Sequence, residues 1–383
     1  MKQLLAYCLS IILCVSFTGC MENYLDLYPE DKITSASFPE NESDIKLLLN
    51  GVYAQLREKE VYNQGLFGFG ITDGATPNAF NWGTDEVFNK LGAGRLSSSD
   101  GGVVTYRWKR CYEIISRANY LLACMDLVDL SEEAKAKYSG ETHFLRGLAY
   151  SVLAETYGGV PIILTNISTE EARSLKRASL EETWQQALDD YEVAITNLGV
   201  DAPEPGRATK GAALGMKMRA YLYQGKYKEV LACVEQIDAL KKYGLFHSYE
   251  GLFDPANENN KEVLFDIQYI EGENSQGSYI DQYCGTGTGS WTRGSRYVPT
   301  DDLVAAYETI DGSPVDPENP YENRDPRLGF TAVLPGSYFL GYRFPNYLYP
   351  GGAFNHAGNR LKHLSTRKYR IQDESKLPPS GQS

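Results

Sequence analysis

Residues 209–240 read TKGAALGMKMRAYLYQGKYKEVLACVEQIDAL, and their periodicity decides the fold. Leu214, Met218, Tyr221 and Leu222 recur at the three- and four-residue steps of an amphipathic helix. Gly225-Lys226-Tyr227 breaks the pattern as a turn. Val230, Val234 and Ile237 then resume it on a second helix. A helix pair joined by so short a turn runs antiparallel. One pair cannot bury its apolar face alone, so other helices must stack on it.

Those helices are legible upstream. A start at Ser43-Asp44 precedes Leu47, Leu48, Val52 and Leu56 at helical spacing. Residues 106–130 carry one stripe of Trp108, Cys111, Ile114, Ile115, Ala118, Leu121 and Leu122. Ser131-Glu132-Glu133 caps the next helix, which runs through Phe144, Leu145, Leu148, Ala149, Val152 and Leu153 until Gly158-Gly159 stops it. Ser179-Leu180-Glu181-Glu182 has the form of a capping box, opening a helix to Leu198. Tyr221, Gly225 and Tyr227 are spaced as in a tetratricopeptide repeat, which residues 209–240 resemble. Met218 and Val230 replace that repeat's usual Gly and Ala, so the copy is divergent. The fold class expected is mainly α: a tetratricopeptide-like helical repeat scaffold with long irregular loops and a few short strands. Glu262 to Tyr269 is read as one strand, since Val263, Phe265, Ile267 and Tyr269 alternate.

The first twenty residues are of a different kind. Lys2 precedes a mostly apolar run from Leu4 to Phe17, the pattern of a secretory signal. The run is about 14 residues, short of the roughly 20 a spanning helix needs. It ends in Phe17-Thr18-Gly19-Cys20, which looks like a lipobox, with Phe17 where Leu is usual. Cys20 is therefore the expected lipid anchor. An ordinary cleaved signal with an incidental cysteine is the alternative. Two acyl chains are enough for stable anchoring. The domains expected are residues 1–19 as signal peptide, 20–40 as a lipid-anchored leash, and 41–383 as a single helical domain.

The 383 residues carry a net charge of −13 with 42% hydrophobic residues. That supports a packed core and repels nucleic acid, so DNA and RNA partners are not expected. Three of seven cysteines lie in the signal region. Cys111, Cys124 and Cys233 sit in helical patterns as buried free thiols, Cys284 in a Gly-rich loop, and no pair has Cys-x-x-Cys spacing. His143, His247, His356 and His363 show no metal spacing. Gly285-Thr286-Gly287-Thr288-Gly289-Ser290 lacks the Gly-Lys-Ser/Thr ending of a phosphate loop. Residues 311–323 are acidic but match no calcium motif and read as a solvated loop. No metal, no cofactor and no catalytic residue is expected.

Several stretches, in chain order, resemble the SusD/RagB family of outer-membrane nutrient-binding lipoproteins. They are Cys20 with Leu25-Asp26 and Pro29; His143-Phe144-Leu145-Arg146-Gly147-Leu148-Ala149-Tyr150 running to Tyr157-Gly158-Gly159-Val160-Pro161; and Thr209-Lys210-Gly211-Ala212-Ala213 running to Arg219-Ala220-Tyr221-Leu222. Asn260-Lys261-Glu262-Val263-Leu264-Phe265, Pro299-Thr300-Asp301-Asp302-Leu303, Asp311-Gly312 and Asp325-Pro326-Arg327-Leu328 follow. The resemblance implies a SusC-like TonB-dependent outer-membrane transporter as partner and a cell-surface, outer-membrane location. Glycans are its usual ligands, though peptides and other nutrients occur. A helix of Arg-Tyr-Ala-Glu type would follow soon after Arg367-Lys368-Tyr369 in the family pattern. The chain stops at Ser383, so truncation at the C-terminus is expected.

Binding by stacking needs flat side chains on loops, with Asn, Asp or Arg nearby for hydroxyls. Two Gly-rich loops offer them. The first, within residues 65–102, holds Asp73, Asn78, Asn81 and Trp82. The second holds Trp291, Arg293 and Tyr297. These seven are the candidate ligand-binding residues, chosen by residue type and loop context, with Trp82 and Trp291 foremost. Two other functions stay open: a lipid-anchored glycoside hydrolase, which would need two carboxylates roughly 5–10 Å apart across a cleft, and a repeat-based assembly adaptor.

Overall fold

The computed structural model describes residues 38–57, 73–81, 90–97, 99–101, 103–268, 297–339, 342–343 and 365–366. The expected signal, Cys20 and Cys284 lie outside these residues, as do His356, His363 and the Gly285–Ser290 run.

Seven helices build the scaffold among the described residues: α1 (Glu42–Tyr53), α2 (Val103–Cys124), α3 (Glu132–Tyr157), the short α4 (Thr169–Ser174), α5 (Leu180–Asn197), α6 (Lys210–Tyr223) and α7 (Tyr227–Ala239). α2 packs on α3, α3 on α5, α5 on α6 and α6 on α7, with α1 laid across α2 and α3. Neighbours in sequence are neighbours in space, as a repeat stack requires. The caps act as their residue types dictate. Ser131 accepts from the Ala134 amide at 3.2 Å. Ser179 and Glu182 form a reciprocal box, each accepting from the other's backbone N–H, at 3.1 and 2.7 Å. The first helix starts slightly earlier than Ser43-Asp44: Asn41 is its cap, accepting from the Asp44 amide.

α3 is the centre of the core. Phe144 to Ala154 is buried on every side of the helix, so its neighbours must cover a complete cylinder. Close approach to α5 is permitted by two glycines one heptad apart. A Cβ on Gly140 would sit 3.0 Å from Asn197 Cβ, and one on Gly147 would sit 3.0 Å from Asp190 Cβ. Beside Gly147 lies a buried ion pair. Arg146 donates from Nη2 to Asp190 Oδ1 at 2.7 Å and from Nε to Oδ2 at 3.0 Å. Its Nη1 donates to Asn119 of α2 at 2.8 Å, and Asn119 donates in turn to the Ile163 carbonyl. One guanidinium thus ties three helices and the segment that leaves α3. About a turn and a half earlier on α3, Glu141 accepts from Tyr53 at 2.8 Å, and Tyr53 accepts in turn from the Ala208 amide. Burial raises the Glu141 carboxyl above its ordinary value, against the lowering effects of Tyr53 and Arg207.

The run Tyr157-Gly158-Gly159-Val160-Pro161 ends α3 for steric reasons. Gly158 adopts φ +76°, where a side chain is strained. A Cβ on Gly159 would fall 2.7 Å from the Ser179 carbonyl carbon and closer still to the Ala178 carbonyl oxygen. The chain then lies along the scaffold, with Tyr112 donating to the Pro161 carbonyl at 2.7 Å and Tyr150 to the Ile163 carbonyl at 2.9 Å.

Three expectations need correction. Residues 262–268 form no strand. Phe265 and Ile267 do pack on the core, and Phe144 meets Phe265 edge-on at 4.9 Å, but the segment lies against helices and the loop at Gly206, and no described strand runs beside it to form a ladder. Leu222 and Val234 do not line a buried face: they are exposed, with Tyr227 and Leu231 beside them. Cys233 and Ala220 carry the buried positions instead, because α6 and α7 close the described stack and nothing described covers their outer side. The stretch 65–102 contains a strand, β1 (Ala79–Asn81), where only loop is expected. The three helical cysteines are free and buried.

Beyond the scaffold lie β2 (Tyr297–Pro299), α8 (Asp301–Ala306), α9 (Pro326–Thr331) and four two-residue strands, β3 (Ala332–Val333), β4 (Tyr338–Phe339), β5 (Tyr342–Arg343) and β6 (Ser365–Thr366). β3 pairs with β6 and β4 with β5, both antiparallel.

Candidate functional site

The two loops singled out by composition meet. β1 and β2 pair antiparallel, in the register Ala79 to Pro299, Phe80 to Val298 and Asn81 to Tyr297. Asn81 and Tyr297, one from each candidate loop, are therefore direct cross-strand partners. Phe80 and Val298 stand opposite each other on one face of the ladder, where Val298 is buried and Phe80 is exposed. Trp82 follows Asn81 in the chain, and Trp291 and Arg293 lie shortly before Tyr297. These three lie outside the described residues.

The approach to β1 is a compact turn. Thr76 donates to the Asp73 carbonyl through Oγ1 at 2.9 Å and through its amide at 3.1 Å. The Asn78 amide donates back to Thr76 Oγ1 at 3.1 Å. Asp73 and Asn78 are both exposed on this turn. A side-chain acceptor for a backbone amide is what Thr76 supplies in this turn.

Thr300, absent from the seven candidates, closes the arrangement. Its amide donates to the Asn78 carbonyl at 3.1 Å, extending the ladder by one bond past Pro299, which has no N–H to give. Its hydroxyl donates to the Pro77 carbonyl and accepts from the Leu303 amide at 3.1 Å, capping α8. The far end of α8 is held by Arg324, which is buried. Arg324 donates from Nη2 to the carbonyls of Val304 and Tyr307 and from Nη1 to that of Pro320. The sequence signal for Thr300 is its position as cap before Asp301-Asp302; nothing local reveals the contact with Pro77.

The acidic stretch after α8 is occupied with its own turns. Asp311 accepts from the Ser313 amide at 3.0 Å, and Ser313 and Asn323 hold its carboxyl down at about 2. Asp325 is likewise held at about 2, chiefly by Arg327. Among the described residues no three His, Cys, Asp or Glu side chains cluster as a metal site. His143 is taken up by the Ser139 carbonyl at 2.8 Å, and burial lowers its pKa.

A separate cavity of about 310 Å³ lies between residues 201–209 and residues 242–266. Its floor includes Tyr243, Val263 and Leu264. Of its lining residues, Lys242 donates to Asp201 and to the Val200 carbonyl, and Asp266 accepts from Gln268.

Two family models match, one described as "Starch-binding associating with outer membrane" over residues 23–222 and one described as the SusD family over residues 261–380. The chain belongs to the SusD family. Among relatives, SusD-like protein P25 of Formosa agariphila is 26% identical over 321 residues, which is 78% of this chain and 58% of that one. A SusD-like protein of Bacteroides ovatus is 24% identical over 66% of this chain and 48% of its own length. The chain thus spans about half the length of these curated relatives. A crystal structure of a SusD-like carbohydrate binding protein from Bacteroides fragilis is 25% identical, superposes with TM-score 0.74, and is matched over 88% of this chain and 68% of that one. A second SusD-like protein from that organism, 24% identical, gives 0.76 over 93% and 73%. The helical scaffold built from residue 42 onward is the SusD scaffold.

Proposed function

We propose that this SusD-family chain binds glycan at the loops joined by the β1–β2 ladder, and passes it uncleaved to a TonB-dependent transporter of the outer membrane. The observation that carries this is the pairing of Asn81 with Tyr297. It joins two loops that are rich in flat and amide side chains and far apart in sequence. Aromatic rings offer apolar faces to sugar rings, and Asp73, Asn78 and Arg293 offer hydroxyl partners. Family membership and the B. fragilis structure described as carbohydrate binding support the ligand class. Anchoring through acylated Cys20 would hold the site at the cell surface.

The test is a glycan array read beside a pull-down from outer membrane, with chromatography of the glycan after saturation. Glycan signal, a co-purified transporter barrel and unchanged glycan length are expected. Trp82→Ala and Trp291→Ala should each weaken binding by about 1–3 kcal/mol if the rings stack. No glycan signal with a retained protein partner would favour an adaptor; shortened glycan would favour a hydrolase.

A further inference from the structure

Three bonds converge on Thr300: two reach the turn before β1 and one reaches α8. Its amide reaches the Asn78 carbonyl, its hydroxyl hydrogen the Pro77 carbonyl, and its hydroxyl oxygen the Leu303 amide of α8. Pro77 and Asn78 lead straight into β1, and Thr300 leads straight out of β2. The ladder itself is only three residues long, and so short a ribbon has little stability of its own. α8 cannot drift, because Arg324 grips its C-terminal carbonyls.

We propose that Thr300 is a positioning residue: it pins the turn before β1 to the mount formed by α8, and so sets the spacing of the two candidate binding loops. This rests on the glycan-binding function above for its purpose, though not for its geometry. A loop held in its binding conformation spends less ordering entropy on binding, so loss of the pin should appear as loss of affinity.

Capping and pinning can be separated. Thr300→Asp keeps a side-chain acceptor for the Leu303 amide, since Asp is a good N-cap, but a carboxylate cannot donate to the Pro77 carbonyl. Thr300→Ser keeps both functions. Thr300→Val keeps the shape and loses both, and serves as the second variant should the aspartate chain not fold. The full chain, purified in detergent, is compared by amide hydrogen exchange in peptides covering residues 73–81 and 297–303, by melting temperature, and on a glycan array.

The expected result is exchange about tenfold faster over residues 73–81 in Thr300→Asp, with wild-type exchange in Thr300→Ser. Array affinity should fall about five- to tenfold in Thr300→Asp and in Thr300→Val and stay at the wild-type level in Thr300→Ser, with scaffold melting unchanged in Thr300→Asp. Wild-type exchange in Thr300→Asp would overturn the pin even with Thr300→Val loosened, since only the cap would then matter, and so would equal loosening in Thr300→Ser. A wild-type chain silent on the whole array would sink the glycan reading, while the exchange comparison still decides the role of Thr300.

Discussion

Removing the carboxylate of Asp190 should be among the costliest single changes in the scaffold. In Asp190→Ala the Arg146 guanidinium keeps its bond to Asn119 and loses the bonds from Nε and Nη2, at 3.0 and 2.7 Å. The Arg146 and Asp190 side chains are 7% and 2% exposed, so water cannot replace what is lost. Stranding one member of a buried pair costs about 3–5 kcal/mol. A chain this long unfolds with an entropy of about 0.8 kcal/mol per kelvin, so the melting temperature should fall by about 4–6 °C. Scanning calorimetry of the full chain reads that shift directly. The paired change Arg146→Met with Asp190→Leu should recover much of it, because the charge and its partner leave together. An Asp190→Ala melting point within about 1 °C of wild type would refute the reasoning, and so would a double variant no better than the single one.

Gly159→Ala should abolish soluble expression, because its Cβ meets backbone at Ala178 and Ser179, while Gly244→Ala, with open space around it, should express and melt as wild type. Glu141→Gln reads a buried carboxyl. Burial raises the folded-state pKa of Glu141 above its ordinary 4.5, so its contribution is present below pH 4.5 and is lost as pH rises through the folded value. The stability of Glu141→Gln relative to wild type should therefore grow from pH 4 to pH 7 in urea titrations; a flat or falling difference would contradict the burial assignment. Leu231→Ser, at a side chain 65% exposed on α7, should leave melting within about 0.5 kcal/mol of wild type and raise solubility.

The scaffold was legible because its signals are local. Caps at Ser131 and Ser179 and the stripe from Trp108 to Leu122 each lie within one helix, and each helix packs on its sequence neighbour. Tyr157-Gly158-Gly159 was legible as a stop, though not as the close passage against Ala178 that makes the second glycine obligatory. Residues 262–269 misled because alternation reports which side chains are buried, not whether a strand lies alongside. Leu222 and Val234 misled because helical spacing does not say which stripe has a partner. At the candidate site, residue types singled out Asn81 and Tyr297, but no local pattern joins them. Thr300 stood out only within the family-like run Pro299-Thr300-Asp301-Asp302-Leu303; its bond to Pro77 depends on tertiary closure.

That closure spans a separation of 223 positions between Pro77 and Thr300, and helices α2 to α7 lie within the span. Closing so long a loop in an unfolded chain is entropically slow, whereas each helix pair needs only its neighbour. The stack can therefore assemble first and carry the two ends to each other. A newly exported chain would possess its framework before it possessed anywhere to hold a cargo, and damage to the framework would be felt first as a grip that never forms.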